Sequence, residues 1–349
     1  MPIVDESLPS DMLQFEHSLT PREVERLASN RNLRCLQCSS NVDPRTWDLL
    51  NSLLFLRRPD VQLRVYGFNS SECDLTFLPR IRNVRHFSVD CVTQAKGTEL
   101  LASLENLESL RVGVYNLDNF DFLWSVPSDL KKLTLEATKS KRPSLEPLQR
   151  FHSLSRLYLE GQQKDIEVLS KLQSLEDLTL RSISTGGLDF ISKATSLWSL
   201  DIKQGGITNL SAIEGMEQIK YLELWQVRGL SDLSVISTLY GLQYVVLQSL
   251  RHVRSLPDFS RLKRLRRVFL ETMKGLVDVS ALEGAPSLED FIHIEASNIQ
   301  PAQYDGLLKH PSLKRIAVGF GSDRKNRAFE VDWGKAGLER FRGETFVYL

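Results

Sequence analysis

The chain has 349 residues, 42% hydrophobic and 25% charged, a globular composition with ample material for a core. Lys and Arg total 44, as do Asp and Glu. No net charge therefore draws the chain as a whole to nucleic acid or an anionic membrane, and either role needs a local patch. No apolar run reaches the ~18 residues that would cross a bilayer.

The opening stretch MPIVDESLPSDMLQFEH has neither a basic nor an apolar leader region, so no secretory signal is expected. Residues 1–19 carry little periodicity and are expected to be only partly ordered. Thr20-Pro21-Arg22-Glu23 combines an N-cap Thr, a Pro at the first helical position and a Glu at the third. It predicts a capping helix from Pro21 to about Ser29. Asp43-Pro44 predicts a second helix reaching about Leu56. Four cysteines, Cys35, Cys38, Cys73 and Cys91, all lie toward the start of the chain. Cys35 and Cys38 form a lone C-x-x-C, the shape of a redox pair or half a zinc site. No second C-x-x-C or paired His follows, and both fall in a strand pattern, so packing is the expected role. A soluble, reducing, cytoplasmic setting is expected.

The pattern L-x-x-L-x-L then recurs. It begins at Leu33, Val84, Leu107, Leu130, Leu154, Leu175, Leu197, Ile219, Leu242, Leu265 and Leu313, with weaker copies at Leu288 and Leu338 and a degenerate one around Leu63 and Val65. From Val84 onward the steps are 21 to 25 residues. Neither a helix nor an amphipathic strand has this spacing. A short strand with alternate leucines inward does, provided stacked copies share the core that none can bury alone. About fourteen strands at ~4.8 Å give a ladder of ~60 Å. Between strands, apolar residues are spaced by three, as in Ile166-Leu169-Leu172, Ile207-Leu210-Ile213, Leu230-Leu233-Ile236, Val253-Leu256-Phe259 and Leu276-Val279-Leu282. That spacing suits 3₁₀ turns. Gly205-Gly206, Gly229 and Gly275 fall where the chain leaves a strand, positions that often need positive φ. ETFVYL is expected to finish the chain as a last strand or lid.

The motif, its period and its copy number resemble the leucine-rich-repeat family. One slot departs: the family's Asn or Cys is met only by Asn41, and later copies carry Thr138, Ile183, Gly205, Val227, Leu250 and Met273. Apolar packing is expected in place of an Asn ladder. The expected architecture is an α/β solenoid, a curved leucine-rich-repeat horseshoe with a concave parallel β-sheet and convex 3₁₀ or short-helix turns. The expected division is an N-terminal segment and capping helix over 1–32, the solenoid over 33–343 and a cap strand over 344–349, with no appended catalytic or signalling domain.

Enzyme chemistry is not expected. There is no phosphate loop, no H-E-x-x-H and no G-x-S-x-G. The six histidines are scattered, and no catalytic residue, cofactor or metal ligand is assigned. A basic run of Arg261, Lys263, Arg264, Arg266 and Arg267, with Arg251 and Arg254 upstream, is read as a solvated ridge partly neutralised by Glu289 and Asp290.

The residues between the leucines form columns on the strand face. Tyr221, Trp225, Tyr244 and Phe269 fall together on three successive strands, with Trp198 at the rim and Asp201, Glu223, Arg267 and Glu271 bordering them. Tyr158 lies in the same columns further back. Large rings outside a core that leucines already fill have the composition of a binding hot spot, although rings can also pack on one another along a ladder. The expected function is non-enzymatic binding of a protein partner on the concave face, by a chain monomeric when unbound, with neither membrane nor nucleic acid as partner. The family resemblance implies protein recognition too, and a neutral, self-contained horseshoe suits an occluding inhibitor, of which toxin-neutralising immunity proteins are an example. A regulatory adaptor or scaffold subunit of a phosphatase or ubiquitin ligase is the alternative. A nucleic-acid role through residues 251–267 is the alternative from another class.

Overall fold

The computed structural model describes residues 11–67 and 72–349. Packing divides the chain into two compact units, residues 1–175 and 176–349. The same repeat builds both.

In the first unit, parallel strands run in the order β1 (Met12–Phe15), β2 (Cys35–Cys38), β3 (Gln62–Gly67), β5 (His86–Cys91), β7 (Ser109–Val114), β8 (Lys132–Leu135) and β9 (Arg156–Glu160). A small two-stranded sheet, β4 (Cys73–Asp74) with β6 (Ala95–Lys96), sits beside them. The register aligns Leu36, Leu63, Phe87, Leu110, Leu133 and Leu157 in one buried column. Inward alternation therefore produces the shared core that the leucine spacing predicts.

The N-terminal cap begins before the predicted helix. Residues 1–10 lie outside the described residues, but Met12–Phe15 pairs with β2, and Phe15 is buried edge-on against Trp47 at 5.8 Å. Helix α1 (Pro21–Ser29) has the predicted capping box: the Glu23 N–H donates to Thr20 Oγ1, and the Thr20 N–H donates to Glu23 Oε2 at 2.8 Å. Helix α2 (Pro44–Leu49), capped by Asp43, continues as a π-helical segment, Leu50–Phe55, so the second helix also ends where expected. Cys35 and Cys38 lie buried on β2 with free thiols, which burial pushes up to about 11. Burial disfavours the thiolate through which a cysteine reacts or ligates. Cys73 and Cys91, by contrast, form a disulfide, a pairing that the sequence reading did not assign.

The second unit stacks β10 (Asp177–Arg181), β11 (Ser199–Lys203), β12 (Tyr221–Trp225), β13 (Tyr244–Gln248), β14 (Arg267–Glu271), β15 (Asp290–Ile294), β16 (Arg315–Val318) and β17 (Glu339–Arg340), all parallel and in chain order. Leu178, Leu200, Leu222, Val245, Val268, Phe291 and Ile316 form its inner column, all fully buried. Single 3₁₀ turns at Asp189–Ile191, Ser211–Ile213, Ser234–Thr238 and Ser280–Gly284 line the return side. The Val253-Leu256-Phe259 return is buried but forms no 3₁₀ turn. The departing slot behaves as the apolar reading requires, with Ile183, Val227, Leu250 and Met273 buried, while Asn41 is exposed.

Positive φ falls on different residues from those expected. Ser182, Gln204, Gln226, Ser249, Thr272 and Glu295, each directly after its strand, have φ between 52° and 56°. The first five donate their N–H to the last carbonyl of the next strand at 2.7 to 3.0 Å, so the chain turns off the sheet without losing a ladder bond. Of the glycines singled out, only Gly229 is left-handed. At Gly205 the constraint is close approach: a Cβ there would stand 2.0 Å from the Ile183 carbonyl oxygen, and at Gly275 2.3 Å from that of Arg251.

The weak copy at Leu338 does become a short strand, β17, paired with β16. Helix α3 (Asp323–Lys335) was not anticipated; a single buried residue, Phe329, anchors it against Tyr304 and Phe320. Residues 344–349 form no cap strand. They belong to a non-regular stretch, 341–349, laid across the sheet of their own unit.

Candidate binding face

The strand register of the second unit decides which side chains meet. One column runs Ser199, Tyr221, Tyr244, Arg267, Asp290, Arg315 across adjacent strands. Tyr221 and Tyr244 meet edge-to-face at 5.4 Å, and the Arg267 guanidinium lies 5.4 Å from the Tyr244 ring. Arg267 does not border the group as a solvated charge. It is 4% exposed and donates from Nε and Nη2 to Asp290 Oδ2 at 2.9 and 2.7 Å, while Arg315 Nε donates to the other oxygen at 2.6 Å. A buried carboxylate held between two guanidiniums satisfies the rule that interior charge is paired.

The basic run is therefore not one ridge. Arg267 is in the sheet face, Arg266 is half-buried beside it, and Arg261 stacks on Tyr240 at 5.0 Å. Arg251, Lys263 and Arg264 are exposed. Asp290 neutralises Arg267 as anticipated, but Glu289 pairs with Lys314 at 3.1 Å.

The next column holds Thr179, Asp201, Glu223, Val246, Phe269 and Ile292. Asp201 is buried, and its carboxyl shares a hydrogen bond with Glu223. Lys203 Nζ reaches both, at 3.0 and 3.1 Å, and the Tyr221 hydroxyl donates to Glu223 Oε2 at 2.8 Å. Burial first, and the adjoining Glu223 second, push Asp201 up to about 7. Burial also opposes charge on Glu223, but the hydrogen bonds from Asp201, Tyr221 and Lys203 outweigh it and hold its carboxyl below the ordinary value. The two behave as one pair that keeps a proton, with the charge on Glu223.

Trp225 and Phe269 are half-buried outside the core, and the Arg181 guanidinium lies 6.0 Å from the Trp225 ring. Glu271 is half-buried at the end of β14. Tyr158 stands on β9 of the first unit, where its hydroxyl donates to Glu160 at 3.0 Å.

The expected open face is in part covered. Tyr348 packs edge-on against Trp198 at 5.3 Å and near Tyr221 at 6.4 Å. Phe346 meets Tyr244 at 5.2 Å and lies 5.0 Å from the Arg267 guanidinium, with Phe341 at 4.7 Å from the same group. Arg267 Nη1 donates to the Glu344 carbonyl at 2.9 Å. Residues just before the strands hold the segment's backbone: Lys220 and Gln243 bond Leu349, and Arg266 bonds the Val347 carbonyl. These three rim residues, and the rings of the segment, were absent from the sequence-derived group. Their only signal was the alternation Phe346-x-Tyr348.

Among the described residues no cluster of His, Cys, Asp or Glu could hold a metal ion, and no helix is long and apolar enough to cross a membrane.

Stacked parallel strands, inward leucines and short 3₁₀ returns define a leucine-rich-repeat fold. Neither a protein-family model nor a curated protein matches the sequence. Solved structures do. The chain is similar to an internalin (inlF) from Listeria monocytogenes str. 4b F2365, with 20% identity over 88% of this chain and 87% of that one and a TM-score of 0.60. It is also similar to TLR13, solved in complex with ssRNA13, with 17% identity over 90% of this chain but 48% of that one and a TM-score of 0.52.

Proposed function

We propose that the chain is a non-enzymatic protein-binding module that works through the strand face of its second unit. One observation carries this reading: Tyr221, Trp225, Tyr244 and Phe269 stand outside a core already filled by the leucine columns. Stability does not require four large rings there, whereas recognition uses such rings. The fold supports the same reading by analogy only. Occlusion of a partner is the finer form we adopt, because five strands at ~4.8 Å give a face ~20 Å wide, broad enough to cover a partner's working surface. The adaptor alternative requires a second recruiting surface, and the exposed Arg251, Lys263 and Arg264 are its best candidates.

The test is affinity capture from the native host with the intact chain and with Trp225→Ala/Phe269→Ala. A partner held by the first and lost by the second, with unchanged melting temperatures, supports the reading. Equal capture by both sinks it. Leu222→Ala, inside the core on the same strand, should instead cost ~2–5 kcal/mol of stability. Loss of binding in steep proportion to added salt would favour phosphate contacts and the nucleic-acid alternative.

A further inference from the structure

We propose that residues 341–349 are an intramolecular ligand seated in a peptide site, and that a partner binds by exchanging its own extended segment, with aromatic side chains two residues apart, for this one. The proposal rests on the protein-binding reading above and names the partner chemistry.

The segment is held as a ligand is held. It adds no strand to the sheet, and β17 ends before it begins. Its side chains alternate: Phe346 and Tyr348 pack down on Tyr244, Tyr221 and Trp198, while Val347 and Leu349 point away at 68% and 79% exposure. An extended peptide on a flat face has this period of two.

The polar rim bonds the segment through its backbone. Gln243, 1% exposed, accepts from the Leu349 N–H at 2.9 Å and donates to the Leu349 main-chain oxygen at 2.9 Å. Lys220 Nζ donates to the same oxygen at 2.8 Å, and Arg266 donates to the carbonyl of Val347. Lys220, Gln243 and Arg266 occupy equivalent places immediately before β12, β13 and β14. The hydrogen bonds made to main chain accept any extended peptide, and the ring contacts then select the sequence. Arg266 lies 4.7 Å from the Phe346 ring and Arg267 5.0 Å from it, so that site favours an aromatic over an aliphatic side chain.

Because the segment is tethered, it competes at a high effective concentration, and a free peptide meets a mostly filled site. The experiment uses the full chain and an amidated, fluorescein-labelled peptide of residues 341–349, read by anisotropy. Phe346→Ala/Tyr348→Ala empties the ring sites while leaving the face intact. This variant should bind the peptide at least ~10-fold more tightly than the wild-type chain, and a peptide with both aromatics replaced by Ala should not bind. Equal affinity for both chains, or equal binding of the two peptides, overturns the proposal. A second measurement needs no variant: excess peptide should speed amide exchange at 345–349 of the wild-type chain, and unchanged exchange at saturation overturns the proposal. If peptide exchange fails while partner capture still depends on Trp225 and Phe269, the protein-binding reading stands without it.

Discussion

Gln243 and Leu349, 106 residues apart in the chain, exchange two hydrogen bonds of 2.9 Å, so one side-chain amide pairs with both main-chain groups of a single residue. Each such bond contributes about 0.5–1.5 kcal/mol. Gln243→Ala should therefore raise the amide exchange rate of residues 345–349 by about tenfold, with Leu247 on the ladder unaffected. Exchange at the wild-type rate would mean that the rings alone hold the segment.

The repeat was legible because burying leucines from stacked strands admits few solutions. The period, the 3₁₀ returns and the inner column all follow from that one requirement. Helix α3 was not legible, since it buries only Phe329 and carries no apolar stripe. The candidate site was legible in part. Columns place Tyr221, Tyr244 and Arg267 together because register is local. That Phe346 and Tyr348 lie on them is a contact across more than a hundred residues, and the Phe346-x-Tyr348 alternation does not say where the segment lands. Arg267 illustrates the same limit: its charge suggested a rim, while its neighbours Asp290 and the 341–349 segment bury it.

The left-handed residues and the glycines make opposite predictions. Gly205→Ala places a Cβ 2.0 Å from the Ile183 carbonyl oxygen, so backbone must move, and a loss of more than ~2 kcal/mol is expected. Ser249→Gly relieves a left-handed φ of 55° and should leave stability unchanged or raised by up to ~1 kcal/mol. Urea titrations of both variants check this. A well-tolerated Gly205→Ala would show that the adjacent returns are not in contact there.

Asp201 gives the second unit a pH dependence of defined sign. Its folded pKa, about 7, lies above its ordinary value of 3.8, so the folded state holds a proton that the unfolded state has lost. Stability from this group falls as pH rises from about 4 to about 7, and the penalty is then constant. Glu223, held low, acts in the opposite direction and only at lower pH. Asp201→Asn removes the titration while keeping a donor for Glu223. Between pH 5 and pH 8 the wild-type chain should lose ~1–3 kcal/mol relative to this variant. Parallel stability curves for the two chains would show that Asp201 is ionised in the fold.

The Cys73–Cys91 disulfide closes a loop with a sequence separation of 18, and cross-links over loops of that size contribute about 3 kcal/mol. Reductant should lower the melting temperature of the wild-type chain and leave that of Cys73→Ser/Cys91→Ser unmoved. Alkylation before reduction, on protein denatured directly from host cells, then reads the compartment. Cys35 and Cys38 are free, so two modified thiols mean that the pair is oxidised where the protein resides, and four mean that it is reduced. A cytoplasmic location predicts four, because glutathione and thioredoxin keep such pairs open. Two would place the chain in an oxidising compartment and overturn that location while leaving the binding face as described.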